Sequence, residues 1–505
     1  MPGTDRSGLA ATIGLVLAAG LLNAPPAPSA IFTVDVFSDG VDDDINDGVC
    51  QTAGGNCTLR AAVQQASVFS NPPHTIRLPS PGTYVLDICC DLEDAGNEGD
   101  LDLDTVSLEI VGLGPLQTVI EQTVDDRVLH CESSNVSLRN LTITGGIFLN
   151  TSSVPQDGAG LLFSNCTATL DNVVVDGNSN GSDGFGANVT LLNSNADIRR
   201  SAVLGGNGTY AGGIAVRNSL QVPRVTLIEG SLIAGNFQPG LYLEAANTAV
   251  TLRNSTLSEN SVSNIRFEGG PTLTLEHVTL LQSGGSGNLN VKFDDNFLGG
   301  TMTVKNSLLQ HLSAVPNCDM GLGGITISEG YNIDSSNSCH LTSLTDSINT
   351  DALLENLADN GGPTETHALP TRSPAINFVP WIHGLCNGSS SPVDQRDAPR
   401  VGDCDAGAYE YLGCPVYVLA NELIFGSREL YECAVRVGPE VTVTGGSELI
   451  LNTGTTASFT SNVTVEQGAQ LSIWYAPVLQ LVLPSLVDAE RRRRGATPGG
   501  SDGDD

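Results

Sequence analysis

The chain reads as an all-β protein whose body is a parallel β-helix, closed at one end by a capping helix and followed by a small C-terminal β module. Seven copies of one phrase predict this. They start at Val136, Ala168, Ala196, Val225, Val250, Leu273 and Met302. Each is an apolar–polar–apolar strand with a further apolar residue seven places after its start: Ile143, Val175, Val203, Leu232, Leu257, Leu280 and Leu309. Consecutive copies lie 32, 28, 29, 25, 23 and 29 residues apart, so each makes one coil of a stacked array. The 57 glycines and only 5% aromatic residues suit tight turns around a core of small aliphatic side chains.

Residues 1–30 read as a secretory signal. Arg6 precedes an apolar stretch, Leu9 to Leu22, too short to span a bilayer, and small residues lead to an exit at Ala30. No other segment reaches transmembrane length; Val478 to Val487 is broken by Gln480, Pro484 and Ser485. The 12 cysteines all lie beyond the signal and suit an oxidising, extracellular setting. Expected local pairs are Cys50 with Cys57, Cys318 with Cys339, Cys386 with Cys404, and Cys414 with Cys433; Cys89, Cys90, Cys131 and Cys166 stay unassigned. Neither Cys-x-x-Cys spacing nor a nearby histidine supports a zinc site at these cysteines. The formal net charge of −34, with Lys292 and Lys305 the only lysines, excludes a nucleic-acid binder.

Residues 31–67 hold an acidic loop and the capping helix. Asp39, Asp42, Asp43, Asp44, Asn46 and Asp47 crowd oxygen ligands of the kind Ca²⁺ takes, with Asp42, Asp44 and Asn46 the candidates. The EF-hand pattern fails, because Asp47 stands at the turn glycine and the twelfth position lacks Glu, and a flexible acidic loop before a disulfide is the favoured reading over Ca²⁺. No other cofactor is expected. In the segment Cys57 to Ser67, Leu59, Ala62, Val63 and Ala66 form an apolar helical face that Thr58 can cap.

Residues 68–350 form the β-helix. In each copy the first and third residues share one face. Four places after the start comes a residue that can turn the chain: Asn140, Asn172, Arg200, Glu229, Asn254, His277 and Asn306. Asn tolerates the left-handed conformation a sharp corner demands. Glycine-rich approaches then lead into a further strand such as Gly213-Ile-Ala-Val or Gly240-Leu-Tyr-Leu, giving three strands per coil. Weaker coils are expected between residues 75 and 130. At about 4.8 Å per coil the seven clear ones make a rod of roughly 30 Å. A β-sandwich also uses many short strands, but it does not repeat one phrase in fixed register.

The stretch Asn46-Asp-Gly-Val-Cys50, Gly55-Asn-Cys57 and the following helix resembles the CSLREA motif region that precedes many bacterial surface β-helices; Thr58 and Ala61 replace the motif's Ser and Glu. Asp126-Arg-Val-Leu129 is similar to that family too. Residues 351–411 carry Leu357-Ala-Asp-Asn-Gly-Gly-Pro-Thr-Glu-Thr-His-Ala-Leu369, Ser373-Pro-Ala-Ile376, Asp394-Gln-Arg396 and Asp405-Ala-Gly-Ala-Tyr-Glu410. They resemble the choice-of-anchor Q domain, with Asn377 and Ala406 departing from its usual Asp and Ile. Together the two resemblances imply an exported bacterial surface protein with a right-handed parallel β-helix.

Residues 412–476 form a second small solenoid: Val441 to Leu451 aligns without gaps with Val463 to Ile473 at a spacing of 22. Residues 477–505, with Arg491 to Arg494 and a Gly- and Asp-rich end, read as a disordered tail.

β-Helices can cleave acidic polysaccharides, which requires a base and a cation that stabilises the enolate. Candidates are Asp294, Asp295 and Lys292, besides Asp125-Asp126-Arg127 and Arg253 with Arg266, but a solvated coil face or corner is the favoured reading of each. His277 and His311 read as surface histidines near corners. The expectation is a non-catalytic, secreted or surface-exposed protein offering a regular face to carbohydrate or another surface component. A polysaccharide lyase or glycoside hydrolase is the alternative.

Overall fold

The computed structural model describes residues 29–68, 73–89, 96–148, 157–181, 184–284, 288–294, 299–313, 315–380, 392–400, 403–413, 416–419, 423–438, 440–459 and 463–474. Three parallel sheets run along a solenoid, as the repeats require. The first sheet contains the repeat strands, for example Asn195–Arg199, Thr248–Arg253 and Thr301–Lys305. The second holds the strands after the corner, such as Ala202–Leu204, Thr256–Ser258 and Leu308–His311. The third is nine-stranded and runs from Leu101–Asp104 to Cys318–Asp319. Strands Asn135–Thr144 and Thr167–Asp176 continue around the corner without a break and join the first two sheets.

Six of the seven corners are built as the sequence predicts. Asn140, Asn172, Arg200, Asn254, His277 and Asn306 all have φ between 44° and 56°. That conformation costs most residues roughly 1–2 kcal/mol and Asn less, which accounts for the Asn preference.

The fourth copy departs from the expected register. Ala196 pairs with Thr226, and Thr226 with Val250. Thr226 and Ile228 therefore face inward, while Val225 is 57% exposed. Gly230, not Glu229, makes the corner at φ 61°, and Ile233, not Leu232, stacks between Val203 and Leu257. An apolar residue at Val225 disguised a shift of one place, and in a strand one place exchanges the two faces.

One core cluster runs through the rod, and its N-terminal end is closed by helix Leu59–Val68. Thr58 Oγ1 accepts from Ala61 N at 3.1 Å, and Leu59, Ala62, Val63 and Ala66 join the core. Fully buried Arg60 pairs with Asp39 at 2.9 Å and donates to the carbonyls of Gly96, Glu98, Gly99 and Asp100. Upstream of the helix, Ile31–Thr33 already forms a rung against Thr75–Arg77.

Inside the rod, buried amides form a chain at the turn between the second and third sheets. Nδ2 of each residue donates to Oδ1 of the next along Asn178, Asn188, Asn236, Asn260, Asn264, Asn290, Asn317 and Asp334, at 2.5–3.1 Å. The same amides satisfy backbone groups that turn inward there, including Gly146 N and Gly206 N. This solves the polar accounting of a sharp buried turn, since an unmet N–H costs about 1–3 kcal/mol.

The outer face of the second sheet is covered by described residues of the segments 351–380, 392–400 and 403–411. Thr256 Oγ1 donates to Gln395 Oε1 at 2.6 Å, His367 Nε2 lies 2.8 Å from Ser258 Oγ, and Ala408 N donates to Thr279 Oγ1 at 3.0 Å. Leu308 and Ile333 share a second cluster with Ala352, Leu369, Ala375 and Val379. Hence Thr279–Gln282 and Leu308–His311 are buried at every position, whereas the first sheet alternates.

Cys50–Cys57 and Cys318–Cys339 are disulfides as expected, with Cα–Cα distances of 5.1 and 4.9 Å. Cys131 and Cys166, unassigned from sequence, pair between neighbouring rungs at 6.5 Å. Cys89 and Cys404 are each disulfide-bonded. Cys90, Cys386, Cys414 and the side chain of Cys433 lie outside the described residues. The C-terminal strands pair in the expected register, Val441 with Val463 and Leu449 with Leu471, around a core of their own.

Candidate functional site

The exposed chemistry follows from strand alternation on the first and third sheets. On the third sheet, Ile214, Val216, Leu241, Leu243, Ile265 and Phe267 point inward. The alternate register positions Ala215, Tyr242, Arg266 and Lys292 therefore stack along the outer face, flanked by Arg217, Glu244 and Glu268. Arg217 is held by Asp157 at 3.0 Å and Glu244 at 2.5 Å. Its guanidinium lies 3.6 Å from the Phe185 ring centroid, and Tyr210 stacks on Phe185 at 4.3 Å with an interplanar angle of 11°. Tyr210 remains 37% exposed, and Tyr242 closes the base of the group 5.6 Å from Phe185. Neither Phe185 nor Tyr210 was legible as a site: both sit in connections between strands rather than in the repeat.

The candidate catalytic residues are divided by this geometry. Asp294 accepts from Arg266 Nε at 2.8 Å and Nη2 at 2.6 Å, so its charge is already matched. Lys292 follows Arg266 on the next rung and has no ion-pair partner among the described residues. Asp295 lies outside the described residues. Tyr242 donates to Glu268, and burial, with that carboxylate second, raises its hydroxyl far above the usual phenol value. It is therefore no base at neutral pH. Asp126 is buried, and burial raises its carboxyl; Arg127 pairs with Asp100 at 3.4 Å.

Arg253 sits on a different sheet from Arg266. It belongs to an outward column of the first sheet in which charge alternates rung by rung: Arg139, Asp171, Arg199, Glu229, Arg253, Glu276 and Lys305. Arg199 bonds Glu229, Arg253 bridges Glu229 at 3.5 Å and Glu276 at 3.1 Å, and Lys305 reaches Glu276 at 3.6 Å. Opposite charges thus face one another on successive rungs.

His277 and His311 are buried, not surface residues. His277 lies 3.0 Å from Asn306 Nδ2, beneath the segment that contains Asp405 and Gly407, and burial followed by Arg400 drives its pKa well down. His311 contacts Asn288 O at 3.1 Å and Ser313 N at 3.1 Å. Buried Asp394, Arg400, Asp405 and Glu410, with partly buried Arg396, form a charge cluster that fastens residues 392–400 and 403–411 to the coils, with Arg400 Nη2 donating to Asn254 Oδ1 at 3.0 Å.

In the acidic loop the Ca²⁺ candidates turn their oxygens to the chain itself. Asp42 Oδ1 accepts from Asp44 N, its Oδ2 from Gln51 N, and Asp44 Oδ1 accepts from Asn46 N. Gln65 Nε2 also donates to Asp42.

A family model described as the right-handed β-helix region matches residues 128–309. No curated protein matches the chain by sequence. Among solved structures, the chain is similar to pectate lyase Pel9A, with 13% identity, 76% of this chain and 97% of that chain covered, and a TM-score of 0.39. It is similar also to the A-module of the mannuronan C-5 epimerase AlgE4 of Azotobacter vinelandii, at 14% identity, 88% and 97% coverage and a TM-score of 0.28. The catalytic domain of a GH87 α-1,3-glucanase gives 12%, 64% and 69%, with a TM-score of 0.24. At these scores the likenesses assign no activity.

Proposed function

We propose that this chain is an exported, non-catalytic surface protein that binds carbohydrate on the outer face of its third sheet. The observation that carries the reading is the Arg217–Phe185–Tyr210 stack. It holds an aromatic ring flat, rigid and half-open to solvent, and such a ring offers large contact area at little entropic cost. Glu244, Glu268 and Asp294 around it are occupied by Arg217, Tyr242 and Arg266, which leaves them as positioned acceptors rather than acids or bases. The net charge of −34 favours a neutral glycan over a polyanion. Disulfides and the sequence of residues 1–30 fit an extracellular setting for a bacterial surface component.

The test is a glycan array with purified protein, followed by titration of the best neutral ligand. Tyr210→Ala should weaken binding about tenfold or more, in line with the loss of a central aromatic anchor. Release of unsaturated uronate ends from polyuronates would overturn the reading in favour of a lyase.

A further inference from the structure

The first rungs of the third sheet hold a second group of chemistry-bearing side chains. Leu101–Asp104 pairs with Leu129–Glu132, Asp102 opposite His130 and Asp104 opposite Glu132. Leu101, Leu103, Leu129 and Cys131 fill the core, so strand alternation sends the two polar pairs outward on adjoining rungs. Asp100 lies just before the strand. Ligand atoms of Asp100, Asp102 and His130 all fall within 4.8 Å of one another.

Two further observations give this group a direction. Asp100 and Asp102 are only 2% and 9% exposed, a costly position for two adjacent carboxylates. Asp102 Oδ2 accepts from Gly96 N at 3.0 Å, whereas buried Oδ1 receives no hydrogen bond and lies at ion-pair distance, 3.3 Å, from His130 Nδ1. Beside them opens a cavity of about 210 Å³ lined by Asp102, Leu103, Asp104, His130 and Glu132, which gives an ion an entry path. Arg127, 3.4 Å from Asp100, and Gly96 N hold the two carboxylates from behind, as outer partners of metal ligands do.

We propose that Asp100, Asp102 and His130 form a binding site for a divalent transition-metal ion of the Zn²⁺ type. An imidazole nitrogen with two carboxylate oxygens selects such an ion over Ca²⁺, which takes oxygen ligands. The site is also tied to the cap: Asp100 O accepts from Arg60 Nη1 at 2.9 Å, so a bound ion braces the helix against the first rungs.

The purified chain, stripped with a chelator, is titrated with Co²⁺ and followed by ligand-field absorption, then with Zn²⁺ and Ca²⁺ by calorimetry. The expected result is one Co²⁺ per chain, displaced by Zn²⁺, with Ca²⁺ at least tenfold weaker and a melting temperature that rises with Zn²⁺. His130→Gln and Asp102→Asn should each weaken Zn²⁺ binding about 10- to 100-fold without changing the circular-dichroism spectrum. If Asp102→Asn does not fold, His130→Gln and the wild-type cobalt spectrum decide. Tighter Ca²⁺ than Zn²⁺ binding, no ligand-field bands, or unchanged affinity in His130→Gln overturns the proposal.

Discussion

Replacing Asn236 by Ala should open the solenoid locally, and the amide chain sets the size of the effect. Asn236 Oδ1 accepts from Asn188 Nδ2 at 3.1 Å and Gly206 N at 2.9 Å. Its Nδ2 donates to Val203 O, Ala234 O and Asn260 Oδ1 at 3.2, 3.3 and 2.7 Å. Asn188 keeps Leu204 O and Asn260 keeps the backbone N of residue 236, so both retain a partner. The Gly206 N–H loses the one that Asn236 supplies. Two side-chain bonds at about 1 kcal/mol each, with one buried orphan at about 1–3 kcal/mol, give roughly 3–5 kcal/mol. Stacked repeats can open in part, so a local readout is needed. Hydrogen exchange should show that loss of protection in peptides around residues 203–208 and 232–240, and far less near residue 305. Thr251→Ala, on the outer side of the first sheet, should change exchange by less than about 0.5 kcal/mol. Were Asn236→Ala indistinguishable from Thr251→Ala, the amide chain would not be what holds these turns.

Further outcomes follow from other parts of the molecule. Val225→Asp should leave the melting temperature nearly unchanged, whereas Thr226→Asp, a buried charge, should cost about 3 kcal/mol or more; the reverse order would restore the slipped register. Replacing both Cys131 and Cys166 by Ser opens a loop with a separation of 35 residues and should lower stability by about 3–4 kcal/mol in denaturant titration. Asp405 is pushed up to about 7 by burial and then by Glu410. A raised folded pKa favours the protonated form, so this contribution is complete below the unfolded value near 3.9 and fades as pH rises through about 7. Exchange protection of residues 392–400 and 403–411 should thus fall between about pH 4 and about pH 7, by roughly 2–4 kcal/mol at most, and Asp405→Asn should flatten the slope.

How much of this was readable from the chain differs by level. The corners were legible because Asn140, Asn172, Asn254 and Asn306 occupy one slot of a short phrase, and a local conformational need has a local signature. The fourth copy misled for the same reason: Val225 satisfied the phrase better than Thr226 did, and only pairing with Ala196 and Val250 resolves it. The amide chain was not visible. Its members are separated by 10, 48, 24, 4, 26, 27 and 17 residues, because some end the second strand and others begin the third. The Arg217–Phe185–Tyr210 stack and the Asp100–Asp102–His130 group were hidden likewise, since each unites residues whose neighbourhood exists only once the coils are stacked. The motif residues around Asp394 and Asp405 stood out in the chain, and the structure gives them a fastening role over the second sheet.

The alternation of sign from Arg139 to Lys305 constrains how such a rod can grow or shrink. Removing one coil would set two cations or two anions face to face, and so would adding one. Removing or adding two would leave every contact attractive. Length variants of this protein should therefore differ by even numbers of coils across that stretch, a parity rule written in electrostatics.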